Sequence, residues 1–189
     1  LLPDRPSGDG PVDVGGAADR AKQFVAGRIE NYLESAGVTY DVIRAALGAG
    51  WADVVEVIER AGAITRIRAE DADFEHAVDT ATRPANIVRP SGLPESAGVD
   101  PDLFEADIER TLWDAIDQAS GAVDAALKGH ADYDAAWSAL KALIAPIDEY
   151  FDEVMVNVDD GKLRANRLAV MRRLDRLYCR LADFREIVQ

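Results

Sequence analysis

Apolar residues recur every three or four positions along most of the chain, which is the period of amphipathic α-helices. The first half predicts four helices, at about 17–36, from Thr39 or Asp41 to 47, at 51–63 and at 71–82. The second half predicts three more, at about 101–129, 133–156 and from Asp159 or Asp160 to the end. Pro146 is expected to kink or restart the sixth helix, because proline removes a backbone donor. The predicted fold class is all-α, a helical bundle preceded by a smaller helical sub-domain.

Proline and glycine divide this helical pattern into four parts. Residues 1–16 hold three prolines and four glycines, and they predict a flexible leader. A second proline-rich stretch predicts a linker at 88–100 between a helical sub-domain at 17–87 and a helical bundle at 101–189. Because the first residue is not methionine, we expect a piece cut from a longer polypeptide.

The last predicted helix differs in charge from the rest of the chain. Residues 157–189 contain eight basic and five acidic side chains, whereas the whole chain carries a net charge of −14. One stripe of this helix is apolar, formed by Leu163, Val170, Leu174, Leu177, Leu181, Phe184 and Val188. Such a cationic helix either binds a polyanion or pairs with acidic side chains of the same protein.

Composition excludes several classes of protein. With 48% hydrophobic and 30% charged residues the chain is globular, and no apolar run approaches the roughly 20 residues that span a bilayer. The net negative charge argues against general adhesion to membranes or nucleic acid, so neither a membrane nor DNA is an expected partner. The single cysteine, Cys179, excludes an intrachain disulfide and fits a reducing, cytoplasmic location.

No catalytic motif is present, since the chain lacks a P-loop, a dinucleotide-binding glycine motif, H-E-x-x-H and C-x-x-C. His76 and His130 do not have the spacing of metal ligands, so we predict no metal site and no catalytic residue. An HD-type phosphohydrolase would need clustered histidines and aspartates that two lone histidines do not supply.

The candidate binding residues surround the start of the basic helix. Arginine presents a planar donor fork to phosphate and stacks on exposed bases, and asparagine both donates to and accepts from base edges. The predicted nucleic-acid-binding side chains are Asn157, Lys162, Arg164, Asn166 and Arg167, with a second small cluster at Arg83 and Asn86.

A structural role remains open for several of these side chains. Arg167 lies near the apolar stripe, where Asp152 or Glu153 could hold a buried guanidinium, and Asn166 could satisfy backbone groups in a loop. The arginines opposite the stripe favour a solvated helix face rather than a binding surface: Arg172, Arg173, Arg176 and Arg180. The alternative to RNA binding is therefore a non-catalytic helical module for protein interaction.

Several motifs resemble the bacterial glycyl-tRNA synthetase beta subunit. The most specific are FDEVMV at 151–156, LRANRL at 163–168 and AD at 182–183, which resemble the C-terminal signature of that family. Residues 24–47, TRPANI at 82–87 and VDPDLFE at 99–105 continue the resemblance upstream. Pro84 departs from the family pattern, where valine often stands, and it removes a backbone donor beside Asn86.

The resemblance implies an anticodon-binding domain of the DALR type, related to that of arginyl-tRNA synthetase. Its ligand would be glycine tRNA, whose anticodon ends in two cytosines, and its function would be to support attachment of glycine to that tRNA. The alpha subunit of the family carries the adenylation site, so ATP and Mg are expected there and no cofactor in this chain. The resemblance also implies an alpha–beta heterotetramer.

Overall fold

The computed structural model describes residues 14–188, which form helices joined by short connections and contain no β-strand. The predicted all-α class is therefore confirmed. The helices are α1 (Val14–Ser35), α2 (Tyr40–Gly48), α3 (Val54–Glu70), α4 (Phe74–Val88), α5 (Asp107–Ala126), α6 (Tyr133–Lys141), α7 (Ile144–Glu153) and α8 (Gly161–Tyr178). Short 3-10 turns occupy Arg89–Ser91, Pro101–Leu103 and Phe184–Glu186.

Aspartate side chains begin three of these helices by accepting hydrogen bonds from otherwise unpaired backbone N–H groups. Asp53 caps α3, Asp132 caps α6 and Asp160 caps α8. Pro146 is the third residue of α7, where the missing N–H has no helical partner to lose. The predicted restart at Pro146 is confirmed.

Two helices of the first half extend further than their patterns predict. α3 runs to Glu70 rather than 63, and α4 runs to Val88 rather than 82. Pro84 therefore lies inside α4, beyond the predicted helix end at 82, with its ring buried. A proline inside a helix costs about 3 kcal/mol, and burial of the flanking apolar side chains offsets that cost.

The predicted helix ends also shift elsewhere. α1 begins at Val14, so the last three residues of the predicted leader are helical, and the rest of that leader lies outside the described residues. α5 begins at Asp107 instead of 101, since Glu109 accepts hydrogen bonds from the backbone N–H groups of Glu105 and Ala106 and fixes the helix start.

The basic helix ends at Tyr178 instead of continuing to the end of the chain. Beyond it the backbone turns, and the N–H of Asp183 donates to the carbonyl of Ala45 at 3.0 Å. Leu181 and Phe184 are buried, but Val188, the last residue of the predicted stripe, is 66% exposed. The prediction that this helix continues to the last residue is wrong, because these contacts with α2 change the direction of the chain after Tyr178.

A continuous hydrophobic core runs through the described residues on both sides of the predicted linker, and α4 and α8 share an extensive contact. Fully buried members from the two halves include Ile43, Ile64, Leu112, Leu140 and Leu174. The segment at 88–100 itself is bound to α8. The division into a sub-domain and a bundle at this segment stays a prediction. In the structure, the helices before and after the segment pack against each other.

Candidate nucleic-acid interface

The start of α8 is fixed by its acidic cap. The Asp160 carboxylate accepts hydrogen bonds from the N–H groups of Lys162 at 2.8 Å and Leu163 at 3.0 Å. These backbone donors lower the pKa of Asp160, since they stabilise its charged form. The cap holds the first turn of α8 in place and directs its side chains outward around the helix end.

Asn166 is buried, and both the oxygen and the nitrogen of its amide form hydrogen bonds with one backbone residue of the 88–100 segment. Its Oδ1 accepts from the N–H of Asp100 at 2.7 Å, and its Nδ2 donates to the carbonyl of Asp100 at 2.9 Å. This geometry fits the structural role considered for Asn166, in which its side chain forms hydrogen bonds with backbone groups of a loop. In this arrangement the side chain offers no free edge to a base.

Arg167 is also buried, and it joins three segments of the chain. Its Nε donates to Glu109 Oε1 at 2.9 Å, its Nη2 to Glu105 Oε2 at 3.3 Å and its Nη1 to the carbonyl of Met155 at 3.0 Å. The hypothesis that Arg167 is a buried guanidinium paired with an acidic side chain is confirmed. The expected partners, Asp152 and Glu153, are wrong, because Glu109 of α5 and Glu105 just before that helix supply the carboxylates instead of α7.

The environment of Glu109 shows how tightly this pair is held. Glu109 is only 2% exposed. Burial raises the pKa of Glu109, but the Arg167 guanidinium and two backbone N–H groups outweigh burial and lower the pKa overall. Asn166 and Arg167 therefore brace the start of α8 against the segments before and after it.

Lys162, Arg164 and Asn157 are exposed at this braced helix start. The Arg164 Nη1 donates to the carbonyl of Val158 at 3.3 Å, which leaves the rest of its donor fork open. Within residues 14–188, no carboxylate lies at ion-pair distance from Lys162 or Arg164. Two cations without an ion-pair partner and an exposed amide thus lie within eight residues at the start of α8, with the carboxylate of Asp160 among them.

The other two predicted residues lie on a different helix. Arg83 and Asn86 are exposed on α4. Arg83 donates to Asp148 at 3.1 Å, and its guanidinium carbon lies 5.9 Å from the ring centre of Phe151. The structure therefore connects Arg83 to α7, and neither α4 residue forms a hydrogen bond or ion pair with the α8 side chains described above.

Sequence reasoning missed an aromatic and cationic group close to Asp100. Arg110 donates to the carbonyl of Pro101 at 3.3 Å, and its guanidinium carbon lies 5.7 Å from the ring centre of Phe104. Phe104 in turn contacts Trp113, with ring centres 6.5 Å apart. A basic residue between two aromatic residues in an acidic stretch was the available signal, and such groups can stack on unpaired bases.

Arg172 was assigned to the solvated face, and that assignment is wrong. Its side chain is buried and donates to the carbonyls of Pro94, at 2.6 Å, and Ala97. The segment at 88–100 folds over this part of α8, which periodicity within one helix cannot reveal. Arg173, Arg176 and Arg180 remain exposed.

The described residues also lack two structural features that other classes of protein have. Among them, no group of three or more histidine, cysteine or acidic side chains is arranged to hold a metal ion. None of the described helices combines the length and apolar character that crossing a membrane would require.

Comparison with known proteins identifies relatives of this chain. No family model matches the chain. A protein of Syntrophus aciditrophicus is 39% identical over 166 residues, covering 88% of this chain and 23% of its own length. One from Acidobacterium capsulatum is 38% identical over 184 residues, covering 91% and 26%, and one from Halalkalibacterium halodurans is 34% identical over 167 residues, covering 88% and 24%. All three are named glycine–tRNA ligase beta subunit.

The chain is homologous to one region of the glycine–tRNA ligase beta subunits. It spans about a quarter of the length of these relatives. The resemblance seen in the LRANRL motif is thereby confirmed at the level of the family. Within that motif the structure separates a braced pair, Asn166 and Arg167, from an exposed residue, Arg164.

Proposed function

We propose that this chain is a tRNA-binding part of a glycine–tRNA ligase, an aminoacyl-tRNA synthetase, and that it contacts the anticodon region of glycine tRNA. The names of its relatives support a role in glycyl-tRNA synthesis. On this proposal the chain has no active site of its own. Attachment of glycine, with the ATP and Mg that it needs, takes place on an alpha subunit joined to beta in a heterotetramer in the cytoplasm.

The observation that carries the proposal is the pair of unpaired cations at the start of α8. Lys162 and Arg164 are exposed, lack a carboxylate partner within the described residues and are held by a buried network beneath them. A cation that is not already neutralised can displace counterions from phosphate, which is the main source of affinity for RNA. Asn157 is exposed in the connection that leads into α8, and its amide supplies donors and an acceptor for a base edge.

Asn166 and Arg167 were predicted to bind nucleic acid directly, but in this proposal they have a structural role. Both are buried and committed to hydrogen bonds within the chain. Their contribution is to hold the exposed side chains in a fixed arrangement, which limits the entropy lost when RNA binds. Arg83 and Asn86 remain candidates for a separate contact from α4.

The experiment is a titration of the chain with glycine tRNA and with a glycine tRNA whose anticodon cytosines are replaced, at low and moderate salt. We expect weaker binding of the second tRNA and a steep loss of affinity with salt. Lys162→Ala and Arg164→Ala should each reduce the slope of log affinity against log salt by about one. Lys128→Ala, a change of equal charge at an exposed connection between α5 and α6, is the matched control.

The alternative is the protein-interaction module with no RNA contact. It is favoured by the acidic partners that several arginines on or near α8 already have: Arg89 with Asp175, Arg167 with Glu109, Arg176 with Glu95 and Arg180 with Asp124. Absence of binding to both tRNAs at low salt, by a chain that unfolds cooperatively and is therefore folded, would support this alternative.

A further inference from the structure

A second group of exposed arginines lies on the last turns of α8 and just after its end, beyond the residues that the proposed function uses. Arg173, Arg176 and Arg180 line a shallow depression of about 130 Å³ between α8 and α5. Ser120 and Asp124 of α5 form its other wall. Three arginines, one serine and one aspartate therefore line the same depression.

Among the three arginines of this depression, Arg173 has no ion-pair partner within the described residues. Its Nη2 donates to the hydroxyl of Ser120 at 3.2 Å. Within residues 14–188 no carboxylate lies at ion-pair distance from it. It shares this property with Lys162 and Arg164, the cations assigned to RNA.

The other two arginines have partners that a ligand can replace at little cost. Arg176 pairs with Glu95, whose side chain is 83% exposed, and Arg180 pairs with Asp124, whose side chain is 64% exposed. Ion pairs between exposed side chains contribute only about 0–1 kcal/mol. A phosphate group offers three acceptor oxygens to the same donor forks, and arginine binds such groups in two-point contacts.

We propose that this depression binds a backbone phosphate of RNA through Arg173 and Arg176, with the Ser120 hydroxyl as a further donor. The inference rests on the proposed contact with tRNA and extends it to a second point on α8. Arg180 keeps its pair with Asp124 and adds positive charge at the edge of the site. The negative charge of Asp124 limits the affinity.

Arg173 and Lys162 are two exposed cations at opposite ends of one side of α8. Lys162 and Arg173 are eleven residues apart, which is close to three helical turns, so both side chains lie on the same side of α8. Their backbone positions are separated by about 16 Å along the helix axis. Asn166 and Ala169, which lie between them on this side, are buried, so an RNA strand that contacts both residues has to pass over the segments that cover the middle of α8.

The test compares Arg173→Ala, Asp124→Asn and the control Lys128→Ala in titrations with glycine tRNA over a range of salt. Arg173→Ala should weaken binding several-fold and reduce the salt slope by about one, and Arg173→Lys should recover part of both because it keeps the charge. Asp124→Asn should strengthen binding, since it removes a like charge beside the phosphate. Thermal unfolding of each variant confirms that the fold is intact.

A second arm distinguishes RNA from free phosphate. Inorganic phosphate is titrated at constant ionic strength while the NMR signals of the arginine Nε groups are followed. Unchanged tRNA binding in Arg173→Ala, with a loss in Arg164→Ala, would overturn this inference and leave the proposed function standing. If tRNA does not bind the wild-type chain at all, both fall, and shifts of Arg173 and Arg176 with phosphate alone would reassign the depression to a free phosphate ion.

Discussion

The guanidinium of Arg167 and the carboxylate of Glu109 meet at 2.9 Å in the interior, although 58 residues separate them along the chain. The exposed fractions of the two side chains are 8% and 2%. Through this pair, α8 is bound to the beginning of α5 and to the backbone at Met155. The exposed cations of α8 are therefore held by a buried ionic contact, and changes to that contact are the first test.

Arg167→Met should lower the free energy of unfolding by about 3–5 kcal/mol, because it leaves the Glu109 carboxylate buried without its cation. Urea denaturation measures this loss. Arg176→Met is the matched control: its pair with Glu95 is exposed, so the expected loss is at most about 1 kcal/mol. Equal losses in the two variants would show that the Arg167 pair is not buried in solution.

Asp41 should make the stability of the fold depend on pH in the acid range. Burial raises the pKa of Asp41, but hydrogen bonds from the Thr39 hydroxyl, the Val188 N–H and Arg68 outweigh burial and lower the pKa to about 2. The pKa in the unfolded chain is about 3.9. The ionised carboxylate therefore stabilises the fold above pH 4, and this contribution is lost as the pH falls from about 4 to 2.

The effect is up to roughly 2 kcal/mol, given by the difference between the two pKa values. Unfolding free energies of the wild type and of Asp41→Asn, measured between pH 5 and pH 2, should converge as the pH falls. A difference between the two proteins that stays constant over this range would contradict the assignment. The same contacts tie the end of the chain to α2 and α3.

Two helical glycines should respond to alanine in opposite directions. A Cβ added at Gly48 would lie 2.8 Å from the Cβ of Asp183, whereas one added at Gly62 would meet nothing within 4 Å. Gly48→Ala should destabilise by about 1–3 kcal/mol through overpacking. Gly62→Ala should stabilise by about 0.5–1 kcal/mol, because alanine favours the helix.

Thermal and urea unfolding of the two variants provide the measurement, and each serves as the control for the other. Stabilisation by both substitutions would show that the connection after α8 does not pack against α2 as described. Destabilisation by Gly62→Ala would indicate that something covers the exposed face of α3 at that position.

Arg172→Ala should loosen the segment at 88–100 while the helices stay folded. Its guanidinium donates to the carbonyls of Pro94 and Ala97, so its loss removes two of the hydrogen bonds that hold that segment against α8. Limited proteolysis and hydrogen exchange at 93–99 should both become faster. Arg173→Ala, whose side chain makes no contact with that segment, should leave these rates unchanged.

The sequence alone determined which stretches of the chain are helical and where several of them begin. Periodicity depends on local spacing, and capping depends on groups within one turn, so Asp160 and Pro146 carried their information in the sequence itself. The charge contrast of the last helix and the motifs at 151–156 and 163–168 likewise required no structure. They led to the family that the comparisons confirm.

The tertiary structure alone decided which charged side chains are available. Arg164, Arg167 and Arg172 lie within nine residues of one another on the same basic helix, yet one is exposed, one is paired with Glu109 and one is covered by the segment at 88–100. Periodicity assigns a side chain to a direction around its own helix, but it does not say which other part of the chain will lie in that direction. Burial of a charge depends on a partner distant in sequence, so only the packed fold separates the residues that brace the surface from those that can bind to it.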